Sequence, residues 1–239
     1  MMPGVIDPAG TFNLNPLTTT TGFTSLYMPS ARRLGLSSEG ESTRQRQSTF
    51  SVGYKEKTQV DIVGGGVWKW RRIVFTYKGR ALYGEDPSWI VPYFNKATNS
   101  EAVDMVRAIA QPTLPQATAL RNVIYDGFEG GDWGSEFTAK LDTSRITPRY
   151  DRTISFNPGN ESGMSRTFRF WHPTRKNLVY DDDEDDAEPT DGGSPVSVSG
   201  KPGMGDLYVY DIVYNVVPAV AGNQQLTFNP EGTYYWHER

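Results

Sequence analysis

The 239-residue chain has no cysteine, which excludes disulfides, thiolate zinc sites and a cysteine nucleophile together, and its 24 Lys/Arg and 28 Asp/Glu give a net charge of −4. No apolar run approaches the length of a membrane-spanning helix, and the start, Met1-Met2-Pro3-Gly4-Val5, has neither the basic nor the apolar region of a signal peptide. With 24 Gly and 16 Pro beside 13% aromatic residues, the composition favours strands joined by many turns.

Residues 1–48 are rich in Gly, Pro, Thr and Ser without a sustained period, and are expected to form a flexible N-terminal arm ahead of a folded domain over 49–239. Strand signals begin at Thr49, where Phe50, Val52 and Tyr54 alternate with Ser51, Gly53 and Lys55. Gly64-Gly65-Gly66 breaks the chain, and a strongly aromatic strand is predicted from Val67 to Tyr77. Trp68 and Trp70 share one face of it and Ile73, Phe75 and Tyr77 share one, so a change of face, and hence a bulge, is expected near Arg71-Arg72. Thr98-Asn99-Ser100-Glu101 reads as a capping box, which predicts a helix with Val103, Val106 and Ala110 along one side, stopped by Pro112 and Pro115. Further strands are expected over 119–126, 135–145, 149–156, 166–180, 206–217 and 233–238. In the fifth of these, Tyr208, Tyr210, Ile212 and Tyr214 alternate with Leu207, Val209, Asp211 and Val213; two largely apolar faces predict a central strand. The fold class that follows is all-β: an eight-stranded jelly-roll β-sandwich with one short helical insertion.

Several segments, taken in order, resemble the capsid proteins of genomoviruses, small circular single-stranded DNA viruses. They are Gly64 to Gly79 (GGGVWKWRRIVFTYKG), Asp142 to Thr147 with Tyr150-Asp151, Trp171-His172-Pro173 with Lys176 to Glu184, Gly203 to Val209, and the terminal Tyr235-Trp236-His237-Glu238-Arg239. The resemblance runs from about Thr49 to the end. It implies a single jelly-roll shell domain that self-assembles into a T = 1 icosahedral virion around circular single-stranded DNA. Identical capsid subunits and the genome are then the partners, a host surface factor is a further one, and no membrane is involved. The virion, and the host nucleus or cytoplasm during assembly, are the implied locations. The family carries an arginine-rich N-terminal arm, whereas residues 1–31 hold no Lys or Arg. Either the arm precedes this start, or DNA is held mainly by the shell.

Charge is unevenly spread: residues 1–80 carry 11 Lys/Arg and 5 Asp/Glu, residues 81–239 carry 13 and 23. In the basic part, Trp68, Lys69, Trp70, Arg71 and Arg72 interleave rings and cations, as sites that stack bases and neutralise phosphates do. These five, with Arg32, Arg33, Arg44 and Arg46 ahead of the first strand, are the candidate DNA-binding residues. The alternative is that the tryptophans are core and the cations are solvated or paired. In the acidic part, Asp181, Asp182, Asp183, Glu184, Asp185, Asp186 and Glu188 form a run that cannot be buried unpaired and is expected as an exposed loop. It could contact a partner or a hard cation, but the EF-hand pattern fails, because Asp186 and Gly192 occupy the positions that need Gly and Glu.

Enzymatic chemistry finds little footing. The triple glycine is followed by a strand, not by the helix of a phosphate-binding loop. His172 and His237 are the only histidines and both sit in aromatic strand contexts, too few for a three-histidine zinc site. No Gly-x-Ser-x-Gly elbow is present. No catalytic residue, metal site or cofactor is expected. The competing reading is a monomeric β-sandwich that binds carbohydrate or another ligand, which aromatic strands also suit.

Overall fold

The computed structural model describes residues 12–14, 16–32, 34, 43–84, 87, 89–91, 93–96, 103–106, 108–159, 162–182, 193–217 and 224–238. Its elements run β1 (Phe12–Leu14), β2 (Leu17–Thr19), β3 (Gly22–Tyr27), β4 (Ser48–Val63), β5 (Val67–Tyr77), β6 (Tyr93–Lys96), β7 (Val103–Val106), β8 (Ala108–Ala110), α1 (Leu114–Ile124), β9 (Thr147–Phe156), β10 (Met164–Val179), β11 (Asp206–Val217) and β12 (Gln225–His237). Two antiparallel four-stranded sheets, ordered β10-β4-β12-β2 and β3-β11-β5-β9, form an all-β sandwich; β1 with β8 and β6 with β7 make two small ribbons. Of the eight strands of the large sheets, taken in chain order, the first, eighth, third and sixth lie in one sheet and the second, seventh, fourth and fifth in the other.

The interior between the sheets is built by period-2 alternation. Leu17, Val60, Ile62 and Phe228 of one sheet meet Phe23, Trp68, Trp70, Val213 and Phe156 of the other, and a second cluster joins Tyr54 and Tyr234 to Val74, Leu207 and Val209. β11 lies between β3 and β5, as its two apolar faces predict. Its other face, with Tyr208, Tyr210 and Ile212, joins Ile73 and Phe75 of β5 under a cover made by α1 (Leu120, Val123, Ile124) and the loops around Leu82, Trp89 and Leu141.

That cover corrects several expectations. Pairing of β5 with both neighbours runs unbroken through Arg71 and Arg72, and its shift against β9 falls at Val74/Phe75. There is no change of face: Trp68 and Trp70 point inward, Ile73 and Phe75 point outward, and both sides are buried. A shift of this kind occurs instead in β4, where Val52 is the extra residue against β12 and lies opposite the skipped Thr174 and Arg175 of β10. Ser51 and Thr49 thereby join Tyr54 among the buried residues, and Phe50 is left half-buried.

The helix is also displaced. Thr98 to Glu101 lie outside the described residues, Val103–Val106 and Ala108–Ala110 are strands, and the helix occupies Leu114–Ile124, where a strand was expected from 119. The operative signal is Thr113-Leu114-Pro115-Gln116, a second capping box in which Gln116 Oε1 accepts the Thr113 backbone N–H at 2.8 Å. Pro115 sits in the first turn, where its missing N–H costs nothing, so it starts the helix instead of stopping it. The strand expected over 135–145 is instead a series of turns, with Leu141 alone bridging to Tyr125. Within the expected arm, β2 and β3 are strands of the two large sheets, and Met28, Ser30 and Ala31 are buried, so residues 16–32 belong to the fold.

Candidate nucleic-acid interface

The aromatic and cationic residues of β5 form a buried polar cluster inside the sandwich. Arg72 Nε and Nη2 hold Asp211 at 2.7 and 2.9 Å, and Nη1 reaches Glu56 Oε1 across the sheets at 2.5 Å. Trp70 Nε1 donates to Asp211 at 2.8 Å, and Tyr54 and Thr58 donate to Glu56 at 2.6 Å each. The guanidinium lies 4.8 Å from the ring centres of both Trp70 and Phe170. Burial alone would lower the Arg72 pKa, but Asp211 and Glu56 outweigh it and raise it. His172 stacks on Phe170 in the same space, and burial, together with the charge of Arg72, pulls its pKa down to about 4.

These positions correct the expected DNA site. Trp68, Trp70 and Arg72 are fully buried and cannot reach a base or a phosphate. Arg71 is buried on the covered face, paired to Asp151 at 2.7 Å and donating to the carbonyls of Glu136 and Ala139, so it ties the 136–139 turn to the sheet. Arg44 is buried too: it holds Asp182 with both terminal nitrogens, donates to the carbonyls of Arg32, Arg46 and Ser194, and lies 3.9 Å above the Tyr180 ring. Arg32 is buried against Tyr234 and Trp236. Lys69 is half-buried, Arg46 is exposed, and Arg33 lies outside the described residues. Six of the nine candidate side chains instead serve the interior: Trp68 and Trp70 pack in it, Arg32 lies against aromatic rings, and Arg44, Arg71 and Arg72 find carboxylates and carbonyls that satisfy them.

At the acidic run, Asp181 pairs with Arg80 at 2.9 Å and Asp182 with Arg44. Asp183, Glu184, Asp185, Asp186 and Glu188 lie outside the described residues. Among the described residues no group of three or more potential metal ligands gathers.

The arrangement sought on β5 is found on the outer face of the other sheet. There β10, β4 and β12 run side by side, and alternation sends Arg169 and Trp171, Lys55 and Lys57, and Glu231 and Tyr235 outward. Register sets Arg169, Lys57 and Glu231 in one row across the three strands, and Trp171, Lys55 and Thr233 in the next, with the lysine in the middle of each. Trp171 and Tyr235 are 47% and 42% exposed, with ring centres 5.9 Å apart. Gly53 permits this: a Cβ there would stand 2.8 Å from the Trp171 ring and 2.7 Å from the His172 carbonyl, so the indole lies across the sheet only because position 53 has no side chain. Further along, Thr167, Gln59 and Asn229 are polar and uncharged, and the Asp61 carboxylate accepts from Gln59 and Ser165. The face thus has a cationic, aromatic end and a polar end that carries the Asp61 carboxylate. It can stack planar rings and neutralise anions at the first.

The chain matches no model of a known protein family and no curated protein.

The signal for this face was present in the sequence, in the alternation of Arg169 and Trp171 with Phe168, Phe170 and His172 and of Lys55 and Lys57 with Tyr54, Glu56 and Thr58. What the sequence did not carry is which of two aromatic, cationic strands lies under a cover.

Proposed function

We propose that the chain is the shell subunit of a small T = 1 icosahedral capsid that encloses circular single-stranded DNA, as its resemblance to genomovirus capsid proteins implies. The order of the eight sandwich strands supports the reading of a jelly roll, an architecture used for viral shells. The observation that carries the reading is the contrast between the two outer faces: one is sealed by α1 and its loops, and the other is bare among the described residues and displays Trp171, Tyr235, Lys55, Lys57 and Arg169. In a closed container the bare face meets the genome and the covered face looks outward. On this reading the acidic run belongs to the outside, where like charges keep particles apart and a host factor can bind.

Electron microscopy of the purified full chain tests the shell, with closed particles of uniform size expected. For the interior face, replacing Lys55, Lys57 and Arg169 together with Ala is expected to reduce packaged DNA. It should also flatten the slope of log affinity against log salt by about 2, since each phosphate contact to a single strand contributes about 0.7. A monomer that binds oligosaccharide on the Trp171–Tyr235 platform, and forms no particle at any concentration, overturns the proposal in favour of a carbohydrate-binding module.

A further inference from the structure

The two lateral margins of the sandwich differ in chemistry. At one margin lie the edge strands β9 and β10. Arg152 is in register with Arg72, and Arg166 with Val60, so both have the parity of interior side chains. Both are nevertheless exposed, because they stand where the sandwich opens at its side. Among the described residues neither has an ion-pair or hydrogen-bond partner, so both guanidinium groups are open to an anionic partner from outside the chain. At the opposite margin, β3 is the edge strand and borders a groove of about 490 Å³ whose walls include Thr24, Glu129, Glu136, Phe137, Ile212 and Tyr214. Tyr214 is 56% exposed, and the Glu129 side chain is exposed to the same extent although it touches Arg121 at 3.0 Å. The groove therefore offers a carboxylate and an aromatic face together, the pair of features a guanidinium engages best.

We propose that this groove receives the Arg152/Arg166 margin of a second copy of the chain. The inference rests on the capsid reading and specifies its contact. Because donor and acceptor patches sit on opposite margins, the contact is head-to-tail, and repeated with a constant rotation it closes a ring of subunits. Guanidinium groups set against Glu129 and Tyr214 fix the register, and the apolar floor around Ile212 excludes water from the contact.

Charge reversal tests the proposal on the full chain under conditions where the wild type assembles. Arg152→Glu with Arg166→Glu is expected to leave folded, unassembled subunits in light scattering, with unchanged circular dichroism and thermal midpoint. Glu129→Arg should do the same, and the three substitutions in one chain should restore particles. Should the reversed charges disturb folding, Arg152→Gln with Arg166→Gln provides the milder test, with the assembly threshold expected to rise about tenfold. Arg152→Glu/Arg166→Glu particles of wild-type size and threshold overturn this inference alone; if those particles lack DNA, the two arginines belong to the nucleic-acid surface instead. A wild-type chain that never assembles overturns the capsid reading and this inference with it.

Discussion

The two sheets share one interior but treat their outer faces in opposite ways. Beside β5, the outward Ile73 and Phe75 are roofed by α1 and the loops around Leu82 and Leu141, and Arg71 is drawn into holding that roof down. Beside β4 and β10, nothing described covers Lys55, Lys57, Arg169 or Trp171, which remain exposed. Both strands interleave aromatic rings with cations, Trp70 between Lys69 and Arg71, Trp171 two residues from Arg169. The same local composition therefore gives a structural cluster under one sheet and a solvent-facing platform on the other. Long-range packing, not the motif, assigns the role.

The hardest test of that division is to break the buried cluster. Arg72→Leu leaves Glu56 and Asp211 facing each other without their shared cation, and removing one partner of a buried charge network costs about 3–5 kcal/mol. The variant is expected to be insoluble or to melt far below the wild type in differential scanning fluorimetry. Lys55→Ala, a cation on the bare face, should shift the midpoint by no more than about 1 °C, in keeping with the small effect of exposed substitutions. Equal losses from the two would abolish the distinction between the faces.

The tryptophans sharpen the same contrast. Trp70→Ala empties a site packed by Phe156, Phe168 and Phe228 and should cost about 3–5 kcal/mol. Trp171→Ala removes a half-exposed ring and should cost less than about 1 kcal/mol in urea unfolding while lowering affinity for single-stranded DNA by about 1–3 kcal/mol. A large stability loss at Trp171 with unchanged binding would make that ring structural after all.

How much of this was legible follows from what each signal depends on. Strands β5 and β11 were delimited to the residue, because their alternation is dense and bounded by Gly66 and Gly79 for the first and by Gly205 and Pro218 for the second. The all-β sandwich and the central place of β11 followed from the same alternation. The helix was misplaced because two Thr-x-x-Glu/Gln boxes occur fifteen residues apart, and only the second, at Thr113, is followed by a segment whose Leu120, Val123 and Ile124 find a sheet face to cover. The cations were misassigned for a related reason. Nothing in the order Lys69-Trp70-Arg71-Arg72 reveals that Asp151, Asp211 and Glu56, distant in sequence, wait beside them. The exposed platform needed knowledge of Gly53, whose missing side chain lets Trp171 lie across the sheet.

Acid titration separates two buried groups that oppose each other. Asp206, at the start of β11, accepts from the Ser197 backbone N–H, the Ser197 hydroxyl and, at 3.5 Å, the Ser30 hydroxyl; burial outweighs these bonds and raises its pKa from 3.8 to about 6. The folded state then holds the proton more tightly than the unfolded one, so this group contributes stability that is full below about pH 4 and is lost as pH rises through 6. His172, lowered from 6.5 to about 4, acts in the opposite sense: its contribution is present above 6.5 and is lost as pH falls toward 4. Each contribution is on the order of 3 kcal/mol, so the wild type should show a nearly flat stability between pH 4 and 6.5. Asp206→Asn should uncover a loss of stability on acidification, and His172→Phe a gain, both read by urea midpoints at pH 4.5 and 7. Identical pH profiles in the two variants would show that these groups do not set the balance.

The smallest expected effect lies in the cover itself. Gln116→Ala removes the side-chain acceptor for the Thr113 N–H while leaving Pro115 and the buried Leu120, Val123 and Ile124 in place. Loss of a helix cap costs about 1 kcal/mol, too little to unfold the sandwich but enough to fray the first turn of α1. Hydrogen exchange is therefore expected to quicken by about fivefold at amides 117–120, since 1 kcal/mol corresponds to that factor at 25 °C, with no change in β4 or β10. Uniform acceleration through both sheets would mean that the cover and the bare face belong to one cooperative unit. Acceleration confined to α1 would show that the roof can loosen while the Trp171 platform stays rigid, and that the covered face owes its burial to a separable layer.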